Sequence, residues 1–264
     1  AYNELDRDLT TNLELKKYLD TLSEDNFSHI DQSKLTGDTW VLTNDIINHL
    51  LDILDKQPRR VGNVFGKIFQ GLATSKDDVY FLQDCNESNS IVTGYSNQLK
   101  RIVKIEKGLV RPLLKGEDVH RYDVITTNRV VIFPYKIVEG KAVLYGENEL
   151  KKLYPNGYSY LKECETILRN REKGHFNIDG AWFQFGRKQG ISSAEEIKLV
   201  APDISMGGNF ALDIKGQFYQ TTTIYGYIKY DNVKCSYKSL LALLNSHLCW
   251  WFMQNTGNVM ANGY

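Results

Sequence analysis

Apolar residues recur at two different periods along the chain, and the change of period comes near residue 60. Leucines lie near helical spacing over residues 5–22, and isoleucines and leucines do so over residues 40–55, where Thr43 or Asn44 can cap the helix. From about residue 61 the apolar runs are short and are separated by Gly, Pro, Asn and Asp, which is typical of strands joined by turns. The pattern therefore predicts two N-terminal helices followed by a body built largely of strands.

Two further helices and one hairpin are predicted within this body. "GYSYLKECETILRNREK" (residues 157–173) and residues 237–254 have helical patterns, and "DIKGQFY" predicts a two-strand hairpin that turns at Lys215-Gly216. We expect an α+β fold, with an irregular mixed β-sheet, an N-terminal helical segment and a C-terminal helix. The expected division is a helical linker over residues 1–57 and a second domain over residues 58–264.

Composition places the chain among globular proteins, because 42% of its 264 residues are hydrophobic and 24% are charged. The longest apolar patch, "SLLALLNSHLCWWFM", is interrupted by Asn245, Ser246 and His247, so no membrane span is expected. The four cysteines are far apart and form no CxxC pair. Free thiols in a reducing compartment, and hence a cytoplasmic location, are the expectation.

Charge is distributed unevenly, although the formal net charge is zero. Residues 1–55 contain 4 Lys or Arg and 12 Asp or Glu, a net charge of −8, which leaves +8 for residues 56–264. Residues 98–141 alone contain 10 basic and 5 acidic side chains. A solvated basic face explains one such cluster, and a surface for a polyanion is the functional alternative.

Motifs for enzyme chemistry are missing from the sequence. It contains no GxGxxG after a strand, no GxxxxGK[ST], no GxSxG and no HExxH, and five scattered histidines give no metal set. The acidic run "GEDVHRYDV" has no nucleophile nearby and is read as a solvated turn. No catalytic residue and no metal ligand is predicted, and an autonomous nuclease is disfavoured.

A series of loose motifs resembles one known family in the correct order. They are "GKIFQGLATSKDDVYFL", "VRPLLKGEDVHRY", "NRVVIFPY", "YPNGYSYLKECETILRNRE", "WFQFGR" with "IKLVAPDIS", and "SLLALLNSHLCWWF". Together they cover about residues 61–255 and resemble the TaqI-like C-terminal specificity regions. Those regions are the target-recognition domains of adenine-specific DNA methyltransferases and of fused restriction-modification enzymes.

The resemblance implies a DNA-recognition domain that positions double-stranded DNA for a separate methyltransferase domain. The Asn/Asp-Pro-Pro-Tyr catalytic motif of such enzymes and a glycine-rich cofactor strand occur nowhere in this sequence. The chain is thus expected to be a piece of a longer protein, without catalysis or cofactor of its own. S-adenosylmethionine is implied for the parent enzyme, and the methyltransferase domain of the same parent chain is the implied protein partner.

Candidate DNA-contacting residues follow from polar and basic side chains in loops. The candidates are Thr74, Ser75, Lys76, Lys115, Arg121, Arg129, Arg187, Lys188 and Gln189. Turn formation is the alternative for the first three, and an ordinary surface position is the alternative for the others. Three consecutive threonines, residues 221–223, are also polar enough to read bases, although a β-branched strand explains them more simply.

A protein-docking module is the alternative function. The two N-terminal helices and "LLALLNSHLCWWF" would then form the interface of a restriction-modification assembly that does not read DNA directly.

Overall fold

The computed structural model of the chain describes residues 12–21, 44–188 and 190–257. Contacts group these residues into two compact units. One contains the described residues up to Arg60 together with Trp251–Gly257, and the other contains Val61–Trp250 without residue 189. The functional boundary between residues 57 and 58 stays a prediction.

The first unit contains the helices α1 (Asn12–Asp20) and α2 (Asp45–Asp55). Asn44 caps α2 as predicted, because its side-chain oxygen accepts a hydrogen bond from the Ile47 N–H at 3.0 Å. Residues 5–11, 22 and 40–43 of the two predicted helices lie outside the described residues.

The second unit alternates short strands with short helices. Its elements are α3 (Val61–Val64), β1 (Phe65–Gln70), α4 (Asp77–Tyr80), β2 (Phe81–Ser88), β3 (Ile91–Ser96), β4 (Arg101–Glu106), β5 (Val110–Leu114), β6 (Val130–Ile132), β7 (Tyr135–Val138), β8 (Lys141–Leu144), α5 (Glu147–Leu153), α6 (Pro155–Glu163), α7 (Glu165–Arg169), α8 (Arg171–Gly174), β9 (Lys198–Pro202), β10 (Ala211–Asp213), β11 (Tyr219–Gln220), β12 (Ile224–Lys229) and α9 (Tyr237–Leu244). A last helix, α10 (His247–Thr256), begins in this unit.

The described strands form three sheets. An antiparallel sheet has the order β1-β12-β9-β10, and a mixed sheet has the order β11-β5-β6-β2-β3-β4, in which only the β11–β5 pair is parallel. Strands β7 and β8 form a separate hairpin. The predicted α+β class with an irregular mixed sheet is confirmed.

A cluster of buried aromatic rings forms the centre of the larger core. The Phe133 ring lies 4.8 Å from that of Tyr219, and the Phe185 ring lies 5.0 Å from that of Tyr80, measured between centroids. Such pairs contribute about 0.5–1.5 kcal/mol each beyond the burial of their area. These contacts anchor in the core the segment that ends at Phe185.

The predicted hairpin at Lys215-Gly216 is wrong, although the turn exists. Gly216 has φ +60° and donates its N–H to the Asp213 carbonyl at 3.4 Å. The Asp213 carboxylate also accepts hydrogen bonds from the N–H groups of Gln217 (3.1 Å) and Phe218 (3.0 Å). The turn therefore leads the chain from one sheet to another, since β10 pairs with β9 and β11 pairs with β5.

The two long helices predicted in the body are interrupted. Residues 157–173 lie in three short helices, and the third contains Glu172 (φ 48°) and Lys173 (φ 59°) in the left-handed region. The C-terminal helix is broken at Asn245, whose buried amide accepts from Phe210 N at 2.9 Å and donates to Phe210 O at 2.8 Å. Such side-chain bonds to a distant backbone compete with helix continuation. Among the short apolar runs with a strand pattern, "VYFL" (residues 79–82) is extended only from Phe81, after the helical turn α4.

Candidate nucleic-acid interface

The loop after β1 begins at a glycine that the packing requires. The Gly71 N–H donates to the Ile224 carbonyl at 3.1 Å, and the Leu72 N–H donates to the Gln220 carbonyl at 2.7 Å. A Cβ atom at residue 71 would overlap the carbonyl oxygens of Gln220 and Thr221. The close approach fixes the start of the loop against β11 and β12.

Within this loop, Thr74 has a structural role and the next two residues are accessible. The buried Thr74 hydroxyl donates to Asp77 Oδ1 at 2.5 Å and accepts from the Lys76 N–H at 3.1 Å, which is the turn formation anticipated for it. Ser75 is exposed, has φ +59° and donates to Glu172 Oε1 at 2.6 Å. The Lys76 ammonium lies 3.6 Å from the Asp78 carboxylate.

A buried arginine ties this loop to a second one. Arg171 is 5% exposed, and its guanidinium donates to the carbonyls of Leu168 (2.9 Å), Thr74 (2.6 Å), Trp182 (2.9 Å) and Gln184 (2.8 Å). Four carbonyl dipoles, rather than a carboxylate, thus balance its charge. The same residue therefore holds both the loop around Thr74 and the segment that leads to residue 187.

The second loop places Arg187 beside the first. The Arg187 N–H donates to the Ala73 carbonyl at 3.0 Å, and the Gly186 N–H donates to the Thr74 carbonyl at 3.2 Å. The side chains of Arg187 and Lys188 are exposed. Gln189, also a predicted contact, lies outside the described residues. Residues more than one hundred positions apart are thereby brought to one surface.

Three clefts share lining residues, and we call them together the furrow. The first, of about 440 Å³, is lined by residues 72–78, Arg187 and Thr222. The second, of about 290 Å³, shares Thr222 with the first and is lined by Asp77, Asp78, Phe81, Gln83, Asn97, Lys115, Thr221, Thr222 and Thr223. The third, of about 660 Å³, shares Lys115 and Thr223 with the second and continues to the 202–206 loop. The furrow thus collects three predicted segments and the threonine run.

The remaining predicted cations differ in how accessible they are to a ligand. Lys115 lines the furrow and is half-buried. Arg129 contacts the carboxylates of Asp118, at 2.7 Å, and Glu117, and only 19% of its side chain is exposed. Arg121 is exposed and lines none of the three clefts, and its guanidinium carbon lies 5.9 Å from the Tyr122 ring centroid. Arg129 and Arg121 stay predictions, and the ion pairs of Arg129 compete with any phosphate.

The furrow also contains residues that the sequence did not single out. Gln83 and Asn97 line its middle cleft, and Met206, which is 74% exposed, lines the third. Isolated amides carry no local sequence signal, and the pairing of β2 with β3 brings Gln83 of β2 close to Asn97, which lies in the turn after β3. Carboxylates are present as well, at Asp77, Asp78, Glu117 and Asp203.

Other kinds of site find little support in the described part of the chain. No three His, Cys, Asp or Glu side chains gather there as metal ligands. The helices described include none long and apolar enough to cross a membrane. All four cysteines are free thiols, and burial raises the pKa of Cys85 and Cys164 to about 11.

Comparison with known proteins identifies the family. The TaqI-like C-terminal specificity domain matches residues 111–264, which is more than half of the chain. The chain belongs to this family. The predicted resemblance is thereby confirmed, while the loop over residues 71–76 precedes the matched residues.

One curated relative is named as both a restriction enzyme and a methyltransferase. It is the type II restriction enzyme and methyltransferase RM.Eco57I of Escherichia coli, and the two sequences are 27% identical over 242 residues. The match covers 86% of this chain but only 24% of the relative. The chain therefore spans about a quarter of the length of this relative.

Proposed function

We propose that this chain is the sequence-specific DNA-recognition part of an adenine-N6 methyltransferase or of a fused restriction-modification enzyme. It would hold duplex DNA in the furrow while a separate catalytic part methylates the target base. The observation that carries the proposal is the furrow itself, which gathers Lys76, Arg187, Lys115 and the threonine run from four separated segments. Membership of a specificity-domain family supports the same assignment.

The chemistry of the furrow suits a duplex. Lysine and arginine contact phosphates and guanine edges, whereas threonine, asparagine and glutamine offer donors and acceptors to base edges. The furrow continues over three clefts, and an extended ligand can therefore contact all of its charged and polar groups together. Ser75 would contact the backbone within the first cleft, Lys188 and Arg121 would contact it beside the furrow, and Thr74 would hold the loop in place.

The parent enzyme would supply the reaction. Its catalytic part would bind S-adenosylmethionine and take the adenine out of the stack, because the target amino group is not accessible within a duplex. The relative is about four times as long as its matched part, which leaves room for such a catalytic part. A methyltransferase domain of the same parent chain is thus the proposed protein partner, and the cytoplasm, where such DNA lies, is the proposed location.

Docking without DNA readout is the second candidate, and an apolar cleft favours it. This cleft, of about 420 Å³, is lined by Tyr122, Val124 and Ile214, which are 72%, 80% and 58% exposed. Apolar side chains exposed together are typical of protein interfaces. The occupant would be the catalytic part of the parent.

A fluorescence-anisotropy titration with random-sequence duplex DNA tests the proposal. If Lys76, Lys115 and Arg187 neutralise about three phosphates, the logarithm of affinity falls with the logarithm of salt at a slope of about −2.7. Raising the salt from 50 to 200 mM should then weaken binding about 40-fold. We expect the charge reversals Lys115→Glu and Arg187→Glu each to weaken binding and to flatten the slope by about one.

Lys141→Glu is the matched control, because Lys141 is an exposed lysine of β8 that lines none of the furrow clefts. It should leave binding nearly unchanged. Equal losses in all three variants would locate binding outside the furrow. Absence of salt-sensitive binding by the unmodified chain, together with a stable complex with the catalytic part, would favour docking instead.

A further inference from the structure

We propose that Gln83 and Asn97 are specificity-determining residues that read the major-groove edge of adenine. The inference rests on the proposed DNA-recognition function. Both side chains line the middle cleft of the furrow, together with Asp77, Asp78 and Lys115. The base pair that they would recognise is A·T.

The backbone anchors both amides, Gln83 on a strand and Asn97 in the turn after β3. Gln83 lies on β2 opposite Tyr95, at the position after which the register of β2 and β3 shifts. Asn97 follows directly after Ser96, which is fully buried and whose hydroxyl bonds to the Tyr160 hydroxyl at 2.8 Å. The next residue, Gln98, donates its N–H to the Asp78 carbonyl at 3.1 Å. Gln83 is thus placed by a strand, which positions side chains more accurately than a free loop, and Asn97 lies in a turn whose neighbouring residues on both sides are held by these hydrogen bonds.

The hydrogen-bonding capacity of the two amides is unused among the described residues. Neither amide donates to or accepts from another described side chain or backbone group, and both side chains are partly exposed. Other polar groups of the same cleft already have partners. The hydroxyls of Thr221 and Thr223 bond to each other at 2.8 Å, and Asp77 accepts the Thr74 hydroxyl. The two amides are therefore free to bond to a ligand.

Amide chemistry selects a base edge and disfavours a phosphate. A phosphate offers only acceptors, whereas an amide presents a donor and an acceptor side by side. That pair matches N7 and the N6 amino group of adenine, and Asn or Gln makes this contact bidentately. Arginine, which reads guanine, lines the first cleft at Arg187, whereas the cation of the middle cleft is Lys115.

Selection from duplexes with a randomised core tests the inference with the chain itself. The unmodified chain should enrich adenine at one or two positions. Gln83→Ala and Asn97→Ala should each reduce adenine preference at one position by about 5- to 150-fold, the value expected for one bidentate pair. Affinity for random-sequence duplex at low salt should stay within about twofold, because phosphate contacts are untouched.

Asn156→Ala is the matched control. Asn156 is an exposed amide at the start of α6 that lines a different cleft, with Arg101 and Ser159. It should leave the selected sequences unchanged. Asn97→Gln, which keeps the amide on a longer side chain, should restore part of the adenine preference that Asn97→Ala loses.

The outcomes separate this inference from the function on which it rests. Salt-sensitive binding with the same selected bases in both alanine variants would overturn the reading role and leave the DNA-binding function intact. A uniform loss of affinity for every sequence would assign the amides to folding and would also overturn it. Absence of salt-sensitive binding by the unmodified chain would reject the function and the inference together.

Discussion

Removing the guanidinium of Arg171 should destabilise the second unit strongly. In Arg171→Met the aliphatic part of the side chain is kept and all of its hydrogen-bond donors are lost. The carbonyls of Leu168, Trp182 and Gln184 then lose a charged donor, while the Thr74 carbonyl keeps the Gly186 N–H. A carbonyl left unpaired in the interior costs about 1–3 kcal/mol.

The magnitude follows from these contacts. Three carbonyls at the lower part of that range cost about 3–4 kcal/mol. The guanidinium carbon also lies 4.3 Å from the Phe176 ring centroid, and the loss of such a cation–π contact adds about 1 kcal/mol. The expected decrease in the free energy of unfolding is thus about 4 kcal/mol, which is large for one substitution.

Urea unfolding followed by tryptophan fluorescence measures this decrease, because Trp182 is fully buried beside the arginine. With a slope of about 2 kcal/mol per molar urea, the midpoint should fall by about 2 M. Arg169→Met is the control, since Arg169 lies two residues earlier, stacks on Trp182 and pairs with carboxylates, those of Glu165 and exposed Asp179, rather than with buried carbonyls. Its midpoint should change far less.

A midpoint for Arg171→Met within about 0.5 M of the unmodified chain would refute the reasoning. The carbonyls would then be satisfied by water, and Arg171 would not hold the loops. If the reasoning is correct, the urea midpoint of Arg171→Lys should lie between those of Arg171→Met and the unmodified chain. The reason is that a single ammonium cannot reach four carbonyls that surround a planar guanidinium.

Two further predictions concern buried ionisable groups. Lys198 and Asp213 form an ion pair at 2.8 Å with side chains 0% and 1% exposed, and burial lowers the pKa of Lys198. Asp213→Ala should cost about 3–5 kcal/mol of unfolding free energy, measured in urea, because it leaves the buried ammonium unpaired. The double variant Lys198→Met with Asp213→Leu should regain much of this loss, and an equal loss in the double variant would contradict the prediction. Burial raises the pKa of Tyr135 to about 12, whereas an unfolded tyrosine ionises near 10. The stability that Tyr135 contributes below pH 10 should therefore be lost as pH rises from 10 to 12, by about 1.4 kcal/mol per pH unit. Burial also raises the pKa of Tyr80, Tyr160 and Tyr219, so the contribution of Tyr135 is the difference between the unmodified chain and Tyr135→Phe. Urea midpoints of both at pH 9 and 11, with tyrosinate absorbance recorded alongside, measure this difference, and an equal pH dependence of the two would disprove it.

Local patterns predicted the elements that local chemistry determines. The N-cap at Asn44 and the positions of α6 and α9 follow from capping residues and apolar periodicity, which are visible within a few residues. The family resemblance likewise depended on the order of short motifs. These features need no knowledge of what packs against them.

Elements that depend on distant partners were predicted less well. The hairpin at Gly216 failed because β11 is a two-residue strand that pairs with Leu113 and Leu114 of β5, one hundred residues earlier. The C-terminal helix breaks because Asn245 bonds to Phe210. A propensity carries no information on either contact, and tertiary packing therefore overrides it.

The candidate site divides in the same way. Loop charges such as Lys76 and Arg187 could be selected from composition, because loops carry such residues. Arg171 could not be distinguished from the neighbouring basic residues, since only burial and its four carbonyl partners reveal its role. Gln83 and Asn97 become visible only when β2 and β3 place them in one cleft.

The balance of charge in the furrow determines how such a surface would discriminate between sequences. Three cations, Lys76, Lys115 and Arg187, share it with four carboxylates, so the release of counterions can supply only a modest, sequence-independent affinity. Carboxylates repel phosphates and accept hydrogen bonds only from base amino groups. A duplex without suitable base edges would therefore leave the carboxylates of the furrow uncompensated and its amides unpaired. Weak binding to random DNA and strong preference for a matching site are two consequences of the same composition, and a shallow salt dependence should accompany them.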